Sequence, residues 1–483
     1  MNYKFKHLIL SLLIVTISIF LLNNCAAKKS LEDDTAMETG SPTENSQTPT
    51  DDPPNVKTIN WESSPTSSLV VMNIDGNTDG NERSVGSLPS NKIIRYRTTS
   101  YFNKSVKFPK RDLPIAFLKN AVYNPIEKKS MKLMSIIPSS ISHNDTSYTF
   151  KVYNTNGSFP TITAQKKYGD SNTKCLVYLE EPTTGSYGSV DWNSLGQTID
   201  NSIITSVINT FGQPTDIDNN SQIVIVFYEL SDPSICGYFY SGDLYSTTSI
   251  PESNEMEVIY INLLCDDDGP SGQLSRQTIA HELQHCINYS SRVITNSLPE
   301  MDIWLDEGLA MSAEHVMLGQ VVEEVITYMK IDQNNLIRNG FPLCVWTGDL
   351  ENYTLSYLFM SYCRIQADNG SGVFKEVIEN QYGDYKGIES IMNAKNSDFT
   401  DFKTLLMSFF IANLLKQSTG IYGYKTENID YNFQVHSPTS TSNVKLKPGG
   451  CIYINSNNTS LDAFTPESED EQVLYIKVKG ENN

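Results

Sequence analysis

The stretch QTIAHELQHCINY, residues 277–289, restricts the fold more than any other part of this 483-residue chain. His281 and His285 are four residues apart, so in a helix they lie on one face with about 6 Å between their β carbons. Apolar residues such as Ile279 and Leu283 fall mostly on another face and can anchor the helix in a core. The pattern predicts a helix that presents two imidazoles to one cleft.

Two imidazoles at this spacing can bind a single metal ion, at the zinc–nitrogen distance of about 2.0–2.1 Å. Glu282 directly follows His281 and would lie beside the ion, where a carboxylate can accept a proton from the attacking water. The alternative interpretation is that both histidines are polar residues on a solvent-exposed helix face. A third ligand distinguishes these two interpretations.

The stretch WLDEGLAMSAEH, residues 304–315, supplies a candidate third ligand. Glu307 follows the apolar pair Trp304 and Leu305 and completes a His, His, Glu set that leaves one position for water. Glu314 lies seven residues further on, about 10.5 Å along the helix, so both carboxylates cannot easily bind one ion. We therefore expect Glu307 to be the ligand, Glu314 to support the site or be solvated, and His315 to be a polar surface residue.

HELQH followed by WLDEG resembles the gluzincin metallopeptidases, which carry two zinc-binding histidines and a downstream glutamate ligand. The wider context, from VDWNSLGQTIDNSIITSVINTFG through YINLL to QTIAHELQHCINY, resembles the hyicolysin family of secreted bacterial metallopeptidases over about residues 170–415. The resemblance implies that His281, His285 and Glu307 bind one Zn²⁺ ion and that Glu282 is the catalytic general base.

A gluzincin also needs a group that stabilises the oxyanion formed during attack on the peptide carbonyl. In ENYTLSYLFMSYC, Tyr353 stands where related aminopeptidases carry such a tyrosine, and its phenol could donate a hydrogen bond to the developing charge. Tyr357, one turn later, is the competing candidate. A chain with 26 tyrosines also offers one near almost any position, so a purely structural role stays open for both.

The strand MEVIYIN, residues 256–262, precedes the metal-site helix and is a candidate sheet edge for pairing with an extended peptide. Aminopeptidases of this clan carry a GxMEN signature there, which holds the free amine of the substrate. This chain has NEMEV, with Val258 after Met256 and Glu257, and lacks the glycine. The departure favours an endopeptidase.

Strand patterns precede the metal-site helix and helical patterns follow it, which predicts an α+β fold. The resemblance implies a gluzincin-type domain with a mixed sheet, an edge strand, an active-site helix and a helical C-terminal subdomain. Strand patterns outside the span of the resemblance predict small β domains that flank it. Helices are predicted at 192–211, 302–318, 353–366, 372–380 and 400–417. The predicted domains are an N-terminal β domain at 58–165, the zinc metallopeptidase domain at 166–420 and a C-terminal β module at 421–483.

The N-terminal segment is typical of an export signal. Lys4 and Lys6 precede the apolar run 8–22, and LLNNC, ending at Cys25, resembles a loose bacterial lipobox. Residues 1–25 are therefore predicted to be a lipoprotein-type signal that anchors the protein to a membrane through Cys25, with plain secretion as the alternative. Residues 26–57 contain few large apolar side chains and predict a disordered linker.

Three further features limit the possible functions. The formal net charge of −20 argues against a nucleic-acid partner. The eight cysteines form no CxxC pair, which argues against a cysteine-based zinc site and leaves the disulfide pairing open. DGNTDG, residues 75–80, matches the first half of a calcium loop, but Gly86 stands where the closing glutamate would be. A plain turn is therefore favoured over a structural Ca²⁺ site.

These observations together predict a secreted or surface-anchored zinc endopeptidase that hydrolyses protein or peptide substrates with metal-activated water. A second function stays open, that of a non-catalytic surface adhesin or binding lipoprotein built on a peptidase scaffold. A zymogen held closed by residues 58–165 is a further alternative.

Overall fold

Three β-sheets, the smallest a two-stranded sheet of residues 83–86 and 444–446, and a set of largely buried helices make up the part of the chain that the computed structural model describes. The described residues are 54–61, 67–88, 110–112, 141–322, 339–367, 370–425, 427 and 444–480. All of them belong to residues 43–483, one of the two compact units into which the chain divides. The predicted export signal, Cys25 and most of the predicted linker lie outside the described residues and stay predictions.

The strands are β1 Val56–Trp61, β2 Ser67–Asn73, β3 Arg83–Gly86, β4 Lys110–Asp112, β5 Ser147–Lys151, β6 Thr161–Tyr168, β7 Cys175–Glu180, β8 Ile223–Tyr228, β9 Ile235–Phe239, β10 Val258–Asn262, β11 Asn339–Pro342, β12 Val444–Leu446, β13 Gly450–Ser456 and β14 Val473–Gly480. The α-helices are α1 Trp192–Thr198, α2 Ile204–Phe211, α3 Gln273–Tyr289, α4 Ile303–Leu318, α5 Leu350–Gln366, α6 Gly372–Glu379, α7 Tyr385–Lys395, α8 Phe402–Leu415 and α9 Asn458–Asp462. This content confirms the α+β class.

The helix predicted at 192–211 forms, with a π-helical segment at Ile199–Ile203 between α1 and α2. Its apolar residues Ile199, Ile203, Val207 and Phe211 are buried in the main core, and Gly212, at φ 110°, ends the helix. The predicted helices near α4, α5, α6 and α8 also form. Helix α7 was missed, although Asp384 caps its first turn and Ile388, Ile391 and Met392 follow a helical spacing.

A seven-stranded mixed sheet, in the order β4-β9-β10-β8-β7-β6-β5, carries the strands next to the metal-site helix. The expectation that the strand within 256–262 is a sheet edge is wrong. Strand β10 lies inside the sheet, parallel to β8 on one side and antiparallel to β9 on the other. All five of its residues are buried, as expected for a strand that is covered on both faces. No backbone edge of β10 is therefore available to a peptide.

A second sheet joins the two ends of the described chain, in the order β1-β14-β2-β13-β11. Strand β2 pairs with β13 and β14, and β1 pairs with β14. In the first sheet, β6 pairs with β7 across the predicted boundary at residue 165. Hydrogen-bonded sheets therefore cross both predicted boundaries, and the division into three domains stays a prediction.

The structure also describes the DGNTDG stretch and seven of the eight cysteines. At DGNTDG, Asp75 accepts hydrogen bonds from Asn77 and lies 3.4 Å from Arg83, so the stretch gives no support for a Ca²⁺ site. Cys236 and Cys265 form a disulfide between β9 and the residues after β10. The other described cysteines are buried and free. Among the described residues, no helix has the length and apolar character needed to cross a bilayer.

Asp243 is a buried carboxylate next to strand β10. It accepts hydrogen bonds from the backbone N–H of Asn254 at 2.6 Å and from the Tyr260 hydroxyl at 2.7 Å. Burial raises the pKa of Asp243 from its ordinary 3.8 to about 7. At pH values between 3.8 and about 7, the Asp243 carboxyl is protonated in the folded protein but ionised in the unfolded chain. The stabilisation from this carboxyl is therefore fully present at low pH and is lost as the pH rises towards about 7.

We therefore expect Asp243→Asn to flatten the pH dependence of stability. In urea unfolding at pH 5 and pH 8, the free energy of unfolding should fall less with pH in the variant than in the wild type. Other buried carboxyls contribute equally to both proteins, so the difference between the two slopes isolates Asp243. Equal slopes would contradict this assignment.

Candidate metal centre

Helices α3 and α4 pack side by side and bring the predicted ligands together. Helix α3 carries His281 and His285 on the face towards α4, with ring centroids 4.9 Å apart. Helix α4 carries Glu307 in its first turns and is held in the core by Trp304, which is fully buried against Phe359. The two separate helices thus build one donor set.

The three donor side chains are close enough to share one ion. The Oε2 atom of Glu307 lies 3.3 Å from Nε2 of His281 and 3.6 Å from Nε2 of His285. One ligand atom from each side chain falls within 4.8 Å of the others, and all three residues are buried. Both Nε2 atoms and both Glu307 oxygens lack a hydrogen-bond partner. Buried polar atoms are rarely left unpaired, so the set fits a divalent cation with an open position.

A second group of carboxylates differs from this donor set. Asp216, Asp218 and Glu257 also bring oxygens within 4.8 Å of one another. Each of them, however, already accepts hydrogen bonds from nearby loop residues or side chains. Glu257, for example, accepts from the hydroxyl of Thr215 and the backbone N–H of Ile217, both at 2.9 Å. Its oxygen is satisfied by the protein itself, in contrast to the oxygens of Glu307.

Two further carboxylates lie against the outer nitrogens of the histidines. Oε1 of Glu314 is 3.0 Å from Nδ1 of His281, and Oδ1 of Asp306 is 3.2 Å from Nδ1 of His285. An ionised carboxylate only accepts, so Nδ1 of His281 donates to Glu314, whereas Nδ1 of His285 faces Asp306 without hydrogen-bond geometry. Both arrangements direct Nε2 towards the position of a metal. Of the two alternatives for Glu314, the structure selects the supporting role, because this residue is fully buried.

Sequence reasoning missed Asp306. It directly precedes Glu307 and is therefore rotated by about 100° around α4, which directs it to the second histidine rather than the first. Its position beside a predicted ligand was the only available signal. The contact itself depends on how α3 and α4 cross.

The charges in this cluster shift the pKa values of its members. Burial lowers the pKa of His281, but the carboxylates of Glu307 and Glu314 outweigh burial and raise it to about 10. Asp306 and Glu307 likewise raise the pKa of His285 well above its ordinary value against the effect of burial. The two imidazoles hold the pKa of Glu307 well below its usual range, although burial opposes them. The carboxylates thus stabilise positive charge at the donor set. A bound divalent cation can supply this charge in place of the protons on the two histidines.

Glu282 lies next to the donor set on the side of β9. Burial raises its pKa to about 7, although both imidazoles act in the opposite direction. The backbone of Phe239 approaches the carboxylate, but neither oxygen makes a hydrogen bond of good geometry. A carboxylate with a pKa near neutrality and without a fixed partner is suited to accepting and returning a proton.

Two glycines let the surrounding elements approach the site closely. A β carbon at Gly237 in β9 would come within 2.6 Å of Thr278 and 3.3 Å of Glu282. A β carbon at Gly308, next to Glu307, would come within 2.8 Å of the Met360 side chain on α5. Small residues at these two positions therefore permit the present packing of α3 against β9 and of α4 against α5.

The two tyrosine candidates on α5 have different surroundings. The ring of Tyr353 lies 6.5 Å from the ring of His281, between centroids, and 4.8 Å from Trp346. The hydroxyl of Tyr357 instead accepts the backbone N–H of Val322 at 3.1 Å and lies 2.8 Å from Nδ1 of His315. The structure thus brings Tyr353 towards the donor set and engages Tyr357 elsewhere.

His315 lies beside Tyr357 and is half-buried, so its expected place on the surface is only partly correct. Burial lowers its pKa to about 4, which keeps the imidazole neutral at physiological pH. His315 thus differs from the two histidines of the donor set, because its Nδ1 contacts a phenol and theirs face carboxylates.

Comparison with known proteins adds an independent line of evidence. No protein-family model matches the chain. Neutral metalloprotease ShpI of Staphylococcus hyicus is 27% identical to it over 427 residues, which cover 85% of this chain and 93% of that protein. The alignment therefore spans most of both chains. The predicted resemblance to hyicolysin-like enzymes is confirmed to this extent: the chain is a relative of a neutral metalloprotease.

Proposed function

We propose that this protein is a zinc-dependent endopeptidase, exported and either secreted or surface-anchored. The observation that carries the proposal is the buried set of His281, His285 and Glu307, whose facing atoms have no partner within the protein. The relationship to a neutral metalloprotease supports the same conclusion. Zinc is the metal that this combination of two imidazoles and one carboxylate most often binds in catalytic sites.

Zinc held by these three residues would supply Lewis acidity, which polarises a peptide carbonyl and favours ionisation of water. The chain itself supplies the proton transfers. Glu282, with a pKa near 7, accepts a proton from the attacking water and returns it to the leaving amine. Glu314 keeps His281 oriented by accepting from its Nδ1, and Asp306 faces Nδ1 of His285 at 3.2 Å. The buried surroundings exclude competing solvent and strengthen these electrostatic effects.

Internal cleavage is favoured over removal of terminal residues. An aminopeptidase needs a carboxylate that holds the free amine of its substrate. Glu257, at the corresponding position of NEMEV, is buried and already accepts hydrogen bonds from Thr215 and Ile217. It is therefore occupied within the protein, and we propose an endopeptidase.

The test of this function is the cleavage of a general protein substrate such as casein. We expect activity that a zinc chelator abolishes and that stoichiometric Zn²⁺ restores, since metal removal deletes the Lewis acid. A protein that binds zinc, shows no cleavage of casein or of a peptide library and adheres to matrix proteins would contradict the proposal and favour the adhesin.

Tyr353 is proposed to donate a hydrogen bond to the oxyanion of the transition state. We expect Tyr353→Phe to lower kcat by about 100-fold with little change in KM, as for the loss of one oxyanion donor. The matched control is Tyr357→Phe, which removes a hydroxyl from the same helix that contacts Val322 and His315. Steady-state kinetics on a fluorogenic peptide measure both. Equal losses in the two variants would contradict a specific role for Tyr353.

A further inference from the structure

Two amide side chains form an outer layer around the donor set. Gln277 precedes His281 by four residues and Asn288 follows His285 by three, so both lie on the same face of α3 as the histidines. Gln277 is 0% exposed and Asn288 is 2% exposed. Asn and Gln side chains are mostly exposed in proteins, and those that are buried are usually hydrogen-bonded.

Gln277 is connected to the first histidine through Glu314. Its Nε2 donates to Oε2 of Glu314 at 2.8 Å, and the other oxygen of Glu314 faces Nδ1 of His281. Gln273 donates to Oε1 of Gln277 at 3.2 Å, which fixes the orientation of the amide. Glu314 is thus held at both oxygens, one by Gln277 and one by the histidine.

Asn288 is connected to the second histidine through Asp306. Its Nδ2 donates to Oδ1 of Asp306, the same oxygen that lies 3.2 Å from Nδ1 of His285. Nδ2 also lies 3.7 Å from the sulfur of Met301. Each histidine therefore has a carboxylate at its Nδ1 that is itself held by a neutral amide, through a hydrogen bond at His281 and a 3.2 Å contact at His285.

A neutral amide is well suited to this position. It fixes the carboxylate and satisfies a lone pair, and it adds no positive charge that would compete with the histidine or the ion. An apolar replacement of the same size would leave a buried carboxylate oxygen unpaired and free to rotate, at a cost comparable to a lost charge-assisted hydrogen bond. The imidazole would then lose its fixed orientation towards the ion.

We propose that Gln277 and Asn288 are positioning residues that control metal retention through Glu314 and Asp306. This proposal rests on the proposed function, because it requires a metal at His281, His285 and Glu307. The predicted effect is on the affinity for the ion and on its release, with a secondary effect on catalysis.

The test compares Zn²⁺ affinity in Gln277→Met and Asn288→Leu with the wild type, by competition against a chromophoric chelator. We expect each variant to bind Zn²⁺ about tenfold more weakly, at the lower end of the effects of outer partners on metal sites. The matched control is Gln366→Met. Gln366 on α5 is 2% exposed and donates to the backbone oxygens of Gly420 and Gly423, not to a carboxylate beside a histidine, so its replacement should leave the zinc affinity unchanged.

A double-mutant cycle separates positioning from general packing. In a Glu314→Ala background, Gln277→Met should cause no further loss of zinc affinity, because its only route to His281 has been removed. The proposal would be overturned if Gln277→Met lowered the zinc affinity equally with and without Glu314. Wild-type zinc affinity in both amide variants would also overturn it. Urea unfolding of the metal-free proteins checks folding, and if one variant does not fold, the other tests the same claim at the other histidine. A wild type that binds no zinc would instead overturn the proposed function.

Discussion

Glu282→Gln is expected to abolish proteolysis while the protein keeps its full complement of zinc. The amide has nearly the same shape as the carboxylate but cannot accept the proton of the attacking water, and general-base catalysis contributes about 10²–10⁴-fold to rates. Because Glu282 is next to the donor set and is not part of it, metal binding should be unaffected. Casein cleavage and metal analysis of the same preparation measure the two quantities.

A matched control for this prediction is Glu376→Gln. Glu376 lies on α6, where it pairs with Lys395 at the surface, so its replacement makes the same chemical change away from the site. This control should keep wild-type activity. Full activity in Glu282→Gln, or loss of zinc along with activity, would contradict the role given to Glu282.

Glu307→Gln is expected to weaken zinc binding by more than about 100-fold. The substitution keeps the size of the side chain and removes the negative charge that faces both Nε2 atoms at 3.3 and 3.6 Å. Loss of an outer partner alone costs about 10–100-fold in metal affinity, so loss of a charged ligand should cost more. Chelator competition gives the affinity, and casein cleavage should fall in parallel when zinc is limiting.

Glu314→Gln is the comparison for this second prediction. It makes the same change at a carboxylate of α4 that contacts His281 on the opposite side of the ring, at Nδ1. We expect a loss of zinc affinity about tenfold smaller than that of Glu307→Gln. If Glu314→Gln causes the larger loss, the assignment of Glu307 as the ligand is wrong.

The elements of the site that depend on short-range spacing could be predicted from sequence. His281, Glu282 and His285 lie within one helix, so the period of 3.6 residues per turn fixes their relation. Glu307 is on another helix, but a glutamate after an apolar anchor at the start of a helical pattern is a recognisable ligand position. The structure brings all three metal-ligand candidates within reach of one another.

What could not be predicted depends on packing between distant segments. The interior position of β10 depends on the order of all seven strands in the sheet. It is covered on one side by β9, which lies between β10 and the edge strand β4. The contacts of Asp306 with His285 and of Tyr357 with His315 depend on how neighbouring helices cross. The joining of β1 and β2 with β14 across more than 400 residues has no local signal.

The most direct test of the central claim is zinc-edge X-ray absorption and anomalous diffraction on the purified protein. The account predicts one zinc ion with two histidine nitrogens at about 2.0–2.1 Å and one carboxylate oxygen of Glu307 at about 2.0–2.2 Å. A protein that takes up no zinc, or a zinc ion held at other residues while Glu307 turns away from both imidazoles, would contradict it.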